Sequence, residues 1–361
     1  MKSYTLERVQ LPTIVTLDDN LINRNISPEL FTTLETHKSY IDNYRGEWIS
    51  AKKISNAYEY VYTSSNLRKN ISSFIPVSRS FFKLREIIYD LSIPISGKIA
   101  CVAEAPGGFI QSLLLHDKYT NTINEIYGIT LLSDNKEIPY WNTTLIKNDK
   151  VTICNGYDGT GNLYSLNNVL QFISTCKRHT CQVITADGGF DYTTDFEQEL
   201  SSYRLFYSEI MIALCLQEVG GTFICKMFEL FHYSTLQLVY ILYRSYESIT
   251  FIKPCTSRVS NSEKYIVCKG FKGYDKDITN IMCSYFDHDM LPVVLPEEFI
   301  KMIIHYHSSF VNNQITHITA TLKLISDRVK YDKPTRVQLR KAREWCKKYK
   351  IKENKGCMYL Y

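Results

Sequence analysis

The chain has no apolar run approaching the ~18 residues of a membrane-spanning helix, because every promising stretch is interrupted by charge. Its opening, Met1-Lys-Ser-Tyr-Thr-Leu-Glu-Arg-Val-Gln10, lacks a continuous apolar core and does not read as a secretory signal. A reducing compartment is the expected location. Cysteine usage agrees: there is no C-x-x-C pair, the count of 11 is odd, and Cys101, Cys215, Cys225 and Cys268 lie inside apolar runs. Buried thiols are expected rather than disulfides or zinc. The eight histidines show no H-x-x-x-H or H-E-x-x-H spacing, His305 and His307 are the single close pair, and no metal site is expected. Internal repeats, Pro/Gly/Ser linkers and low-complexity tracts are also lacking. So is the G-x-G-x-x-G fingerprint, which argues against a nicotinamide enzyme.

What is present is the composition of an ordinary globular chain, 45% hydrophobic and 22% charged over 361 residues. The formal net charge of +5 is modest but unevenly placed: residues 329–356 hold eleven Lys/Arg against three Asp/Glu. A basic module on a near-neutral body fits either a polyanion partner or a solvated charged tail.

Apolar residues recur near helical spacing between about 28 and 70, and again at 81, 84, 87 and 88. From Lys98 the pattern becomes short apolar strands alternating with helical stretches, the signature of a parallel α/β sheet. Strands are predicted at 99–103, 123–129, 151–154, 183–186, 222–226, 249–253 and 265–268, with clear helices at 195–216 and 236–246. The last two strands are close enough for an antiparallel hairpin. Helical patterns return beyond about 285. In the final one, Pro334 precedes Thr335-Arg-Val-Gln338, a capping-box pattern. Leu339, Ala342, Cys346 and Tyr349 share one face of that helix, and Arg340, Lys341, Arg343, Lys347 and Lys348 surround the others.

Three features converge on one crevice. The first strand ends in Ala103-Glu-Ala-Pro-Gly-Gly-Phe109 and leads into a helix, a junction where backbone amides can approach a ligand beyond the carboxyl ends of the strands. The fourth ends in Ala186-Asp187-Gly-Gly189, where the Asp either projects into the crevice or serves a turn. The fifth carries Lys226 in an otherwise apolar strand, and lysine is rarely buried without a role; a core ion pair with Asp187 and a catalytic amine are both consistent. A lysine with its reference pKa of about 10.4 is too basic to take a proton near neutrality; desolvation and a second cation lower that value.

Four motifs resemble the FtsJ (RrmJ) superfamily, most closely the branch of eukaryotes and large DNA viruses that methylates the cap-proximal ribose of mRNA. They are Ser78-Arg-Ser-Phe-Phe-Lys-Leu-Arg-Glu-Ile87, the Pro-Gly-Gly-Phe loop, the Asp-Gly-Gly strand end, and Ser257-Arg-Val-Ser-Asn-Ser-Glu-Lys-Tyr265, together covering about residues 76 to 270. The resemblance implies a Rossmann-like doubly wound α/β methyltransferase sheet of seven strands, residues 76–285, with a helical N-terminal extension (1–75) and a basic, helical, RNA-contacting C-terminal extension (286–361). It implies S-adenosylmethionine as methyl donor and a tetrad of Lys83, Asp187, Lys226 and Glu263, with Lys226 as general base for a ribose 2′-OH. Donor contacts would fall to Glu104, Pro106, Gly107, Gly108, Phe109, Asp158 and Asp187, and RNA contacts to Ser257, Arg258 and Asn261. No metal is required.

Two departures from the family stand out. Cys101 occupies a position that is often acidic, the nearby acid being Glu104 instead, and the second strand ends Tyr127-Gly-Ile-Thr-Leu131 without the usual ribose-binding acid. Asp158, in Gly156-Tyr-Asp-Gly-Thr-Gly161, falls in the adenine-contacting region or is a turn residue. The expected partner is RNA, in particular a capped mRNA 5′ end, with a capping enzyme or RNA polymerase as possible associates and no membrane. The implied setting is cytoplasmic (host cytoplasm or virion for a viral chain), with the nucleus as alternative. A 2′-O-methyltransferase for ribosomal or transfer RNA, and a catalytically silent RNA-binding subunit, are the competing readings.

Overall fold

The computed structural model describes residues 2–8, 24–189, 198–329 and 333–360 of the chain. Strand β1 (Lys2–Thr5) is followed by helices α1 (Pro28–Asp42), α2 (Arg45–Ile54) and α3 (Ser80–Asp90). Alternation then begins: β2 (Gly97–Val102), α4 (Gly108–Thr120), β3 (Ile123–Ile129), α5 (Thr143–Ile146), β4 (Val151–Ile153), α6 (Leu166–Cys176), β5 (Cys181–Ala186), α7 (Gln198–Leu216), β6 (Gln217–Met227), α8 (Tyr233–Ser245) and β7 (Tyr246–Lys253). After β8 (Lys264–Phe271) the chain is helical again, in α9 (Lys276–Ser284), α10 (Glu297–Ser326) and α11 (Arg336–Lys348). The residues before Gln198 in the expected 195–216 helix lie outside the described residues.

One sheet runs through the molecule in the order β1-β7-β8-β6-β5-β2-β3-β4. From β6 to β4 all neighbours are parallel, whereas β8 is antiparallel to both β6 and β7. This is the Rossmann-like methyltransferase architecture expected from the alternation, with the predicted hairpin at its end. Strand faces alternate as pleating requires. Ile99 and Cys101 join the cluster under α3, α4 and α5, while Ala100 and Val102 join the opposite cluster under α6 to α10. Both faces are covered, so the strands read as continuous apolar runs.

The sheet has eight strands, one more than expected. The N-terminal segment, read as helical, opens with β1, which pairs antiparallel with β7. Four residues, Lys-Ser-Tyr-Thr, carry too little alternation to announce a strand; long-range partners make it one. Thr5 Oγ1 meets Thr250 Oγ1 at 2.8 Å, Tyr4 lies against Tyr306, and the Arg8 guanidinium donates to the carbonyls of Tyr243, Tyr246 and Glu247.

The N- and C-terminal segments, separate in sequence, share two apolar clusters. Leu34 and Trp48 meet Val311 and Ile318 of α10, and Val61, Ile71, Phe81 and Phe82 meet Ala342, Trp345, Cys346 and Tyr349. Helix α11 has the predicted capping box, Thr335 and Gln338 each accepting from the other's backbone amide. Its apolar face docks on the body and its charges point outward. Trp345, outside the expected stripe, is the largest buried residue of that face, and its indole Nε1 donates to Glu86 Oε1 at 2.9 Å. Glu86 is fully buried on α3 and also accepts from the amides of Cys255 and Thr256 and from Thr256 Oγ1. All eleven cysteines are free thiols. Among the described residues no helix is long and apolar enough to cross a membrane.

Trp345→Phe keeps the ring and deletes one donor to this buried carboxylate. Hydrogen bonds to charged groups contribute about 1.5–3 kcal/mol, and urea unfolding is expected to show a loss of that order, with an unchanged m-value.

Candidate active site

A cleft of about 790 Å³ opens beyond the carboxyl ends of β2, β3, β5 and β6. This is the point where the strand order reverses, since the chain leaves β2 toward β3 on one side and later returns to β5 on the other. The cleft is lined by Pro106 from the first loop, Thr130 and Leu131 after β3, Asp187 to Gly189 after β5, Lys226 near the end of β6, and Asn261 to Glu263 from the β7–β8 loop.

Asp187, Lys226, Lys83 and Glu263 come together here as two linked pairs. Lys226 Nζ donates to the Asp187 carbonyl at 2.8 Å and lies 3.5 Å from its Oδ1; both side chains are 12% exposed. Lys83 Nζ donates to Glu263 Oε2 at 2.7 Å. Most other side chains of α3 are buried in the core, and Lys83 reaches the cleft through Glu263, which lines it. Burial alone would raise the Glu263 carboxyl, but the ammonium groups of Lys83, Lys226 and Lys253 outweigh it and hold the pKa at about 2.

Two residues not assigned a role from sequence complete the group. Tyr265 donates its hydroxyl to Asp187 Oδ1 at 2.7 Å, leaving that oxygen oriented between phenol and ammonium. Lys253, at the end of β7, donates to Asn261 Oδ1 (2.6 Å) and to the carbonyls of Asn261 and Glu263, so one buried ammonium gathers the whole loop. Burial lowers its pKa to about 7. Tyr265 was visible as the last residue of the Ser-Arg motif. Lys253 looked like any lysine at a strand end.

The first loop supplies backbone rather than side chains. Gly107 caps α4 at φ +104°, a left-handed conformation suited to glycine. At Gly108 a Cβ would come within 2.4 Å of both Ser80 Oγ and Ser78 Oγ, so the loop lies directly on the start of α3. The amides of the first turn of α4 face the side on which anions bind at helix N-termini.

The remaining assigned residues divide. Pro106 and Asn261 line the cleft. Phe109 is fully buried and packs on Tyr265 at 5.9 Å between ring centroids. Asp158 is exposed and occupied within its own loop, accepting from Thr160 N, Thr160 Oγ1 and Asn168 Nδ2, hydrogen bonds that lower its pKa. Ser257 is buried and donates to Glu263 Oε1 at 2.7 Å. Arg258 faces a neighbouring slot and pairs with Glu59 at 2.9 Å.

Both departures from the family pattern have structural counterparts. Thr185 Oγ1 donates to Glu104 Oε1 and to Cys101 Sγ, so the displaced acid returns to the side of Cys101. Burial pushes the Glu104 carboxyl well above its ordinary range, and its Oε2 has no hydrogen-bond partner among the described residues. Beyond β3, Asn135 and Glu137 of the following loop line the cleft where the strand end itself lacks an acid.

Residues 76–271 match the FtsJ-like methyltransferase family model. The chain belongs to that family, whose methyl donor is S-adenosylmethionine. It is 32% identical over 242 residues to a cap-specific mRNA (nucleoside-2′-O-)-methyltransferase 1 of Trypanosoma brucei brucei, covering 63% of this chain and 64% of that protein. It is 30% identical over 243 residues to the human protein of the same name, covering 63% of this chain and 29% of that one. The chain thus spans less than two thirds of the length of these relatives. A solved Plasmodium falciparum structure described as a ribosomal RNA methyltransferase has 26% identity and a TM-score of 0.39, covering 55% of this chain and 99% of that one.

The cleft suits the donor. Its volume falls within the ~300–1,000 Å³ of small-molecule sites, Ala105 and Pro106 of the glycine loop line it, and Glu104 just before them keeps a buried Oε2 without a hydrogen-bond partner among the described residues.

The charge on Glu263 carries a pH signature. Its folded pKa of about 2 lies below the ordinary 4.5, so the stabilisation is complete above pH 4.5 and disappears as pH falls toward 2. Urea midpoints of wild type and Glu263→Gln, followed across that window, should differ most above pH 4.5 and converge toward pH 2.

Proposed function

We propose that this chain transfers a methyl group from S-adenosylmethionine to the ribose 2′-OH of a cap-proximal nucleotide of mRNA. The observation that carries the reading is the pairing of two lysines with two carboxylates at one cleft, Lys226 with Asp187 and Lys83 with Glu263, of which Lys226, Asp187 and Glu263 line it. The cap-specific relatives support the choice of substrate.

When bound, S-adenosylmethionine supplies an electrophilic methyl carried on a sulfonium. Pro106, the Gly107–Gly108 backbone and Glu104 would hold its amino-acid end, and Asn135 and Glu137 are placed for its ribose hydroxyls. Lys226, as the neutral amine, would accept the 2′-OH proton as the new oxygen–carbon bond replaces the methyl's bond to sulfur and S-adenosylhomocysteine leaves, ending as an ammonium beside Asp187. Tyr265 and the Asp187 carbonyl fix the direction of that amine. Lys83, held by Glu263, contacts the reacting ribose. Asn261 is the loop residue assigned to RNA contact; Ser257 and Arg258 act by shaping the loop. Phe109 supports the cofactor loop from beneath, and Asp158 does the same for the loop after β4.

Residues 76–285 carry the chemistry in this reading. The two terminal segments, joined through their shared clusters, form one surface for the transcript, with the exposed Arg336, Arg340 and Lys347 of α11 as phosphate contacts.

Lys226→Ala should lower methyl transfer at least about a hundredfold while leaving the donor's Kd nearly unchanged, measured with labelled methyl on capped RNA. Persistent transfer removes Lys226 from its role, and equal labelling of capped and uncapped RNA removes cap specificity. Because α11 is part of the core, its charges are best tested by substitution. The Arg336/Arg340/Lys347→Ala variant should keep its melting temperature and lose about 0.7 of salt-dependence slope for each phosphate contact removed. An unchanged slope makes those charges a solvated surface.

A further inference from the structure

A second cleft, of about 760 Å³, lies on the opposite rim of the sheet. Ser92 and Ile93, just before β2, and Tyr119 and Thr120, at the end of α4 before β3, belong to its wall. The catalytic cleft sits at the carboxyl ends of the strands and this one at the amino ends, so nothing bound here would touch the methyl donor.

The residue that calls for a ligand is Arg85. Its side chain is 3% exposed, and it forms no ion pair among the described residues. Two of its five N–H donors are used, by the Tyr349 carbonyl and the Tyr89 hydroxyl, both at 3.0 Å. Buried charges are ordinarily paired, since an uncompensated one loses much of its hydration. Asp90, the nearby acid on α3, is already engaged by Lys348 and the Tyr349 hydroxyl. Burial lowers the Arg85 pKa, and burial followed by Arg85 itself lowers that of His116, leaving a neutral imidazole beside the guanidinium. Lys350 adds a second cation, 5.9 Å from the Tyr89 ring centroid. Tyr119 is 72% exposed at the mouth. Arg85 also lies over the Tyr89 ring, 4.8 Å from its centroid, and two cations beside one tyrosine with a second, exposed tyrosine on the same wall match an anion attached to a planar ring.

We propose that this cleft binds a nucleoside phosphate, with the phosphate on Arg85 and Lys350 and the base against Tyr119 and Tyr89. The same chemistry is offered by a free mononucleotide and by a nucleotide unit of RNA. The inference is independent of the reading of the catalytic cleft.

Calorimetric titration of the full chain, saturated with S-adenosylhomocysteine to occupy the donor site, distinguishes the sources. The probes are GMP and an uncapped single-stranded RNA hexamer. Tyr119→Ala and Lys350→Ala alter exposed side chains and should each weaken binding about fivefold or more, given the usual contribution of one stacked base or one cation. S-adenosylhomocysteine affinity should stay unchanged. Variant-sensitive binding of GMP supports a free-nucleotide site, and variant-sensitive binding of the hexamer alone supports an RNA site. Binding of neither probe, or binding indifferent to both substitutions, overturns the proposal.

Discussion

The Glu86 carboxylate is the constraint on which the site's geometry rests. A fully buried carboxylate is tolerable only when its lone pairs are filled, and this one joins three distant parts of the chain: α3 presents it, the β7–β8 loop gives three donors at Cys255 and Thr256, and α11 gives the Trp345 indole. One turn earlier on the same helix is Lys83, and eight residues further along the same loop is Glu263. The ion pair between them is therefore set by a buried junction one turn further along α3.

Behind this junction the loop is held a second time by Lys253, whose ammonium binds two carbonyls and Asn261 Oδ1. The Ser-Arg motif is thus braced by contacts of its own. Ser257 donates to Glu263, Arg258 pairs with Glu59, and Asn261 lines the cleft.

The parts legible in the sequence were those encoded locally. Alternating apolar strands and amphipathic helices announced the parallel sheet, the capping box announced α11, and Asp187 and Lys226 stood out as polar residues at strand ends. Lys83 and Glu263 were reached through motif resemblance. What stayed hidden depends on pairing at long range. β1 is four residues with no pattern of its own, completed by the edge of β7. Glu86 and Lys253 look like surface charges until their partners are known. Phe109 and Asp158 share loops with the cleft, yet one faces the core and the other its own turn, a distinction that side-chain direction decides and spacing does not.

The Glu86–Trp345 hydrogen bond also sets an order in time. Its partners are 259 positions apart, and a ribosome adding about 5–20 residues per second needs on the order of ten to fifty seconds to make the intervening chain. Through that interval the sheet strands from β2 to β8 can emerge and pair, while α3 carries an acid whose last donor has not been made. Long-range closure is slow for the same reason. During that interval Glu86 has its neighbours on the β7–β8 loop available but not the Trp345 indole, and the buried junction closes only when α11 docks.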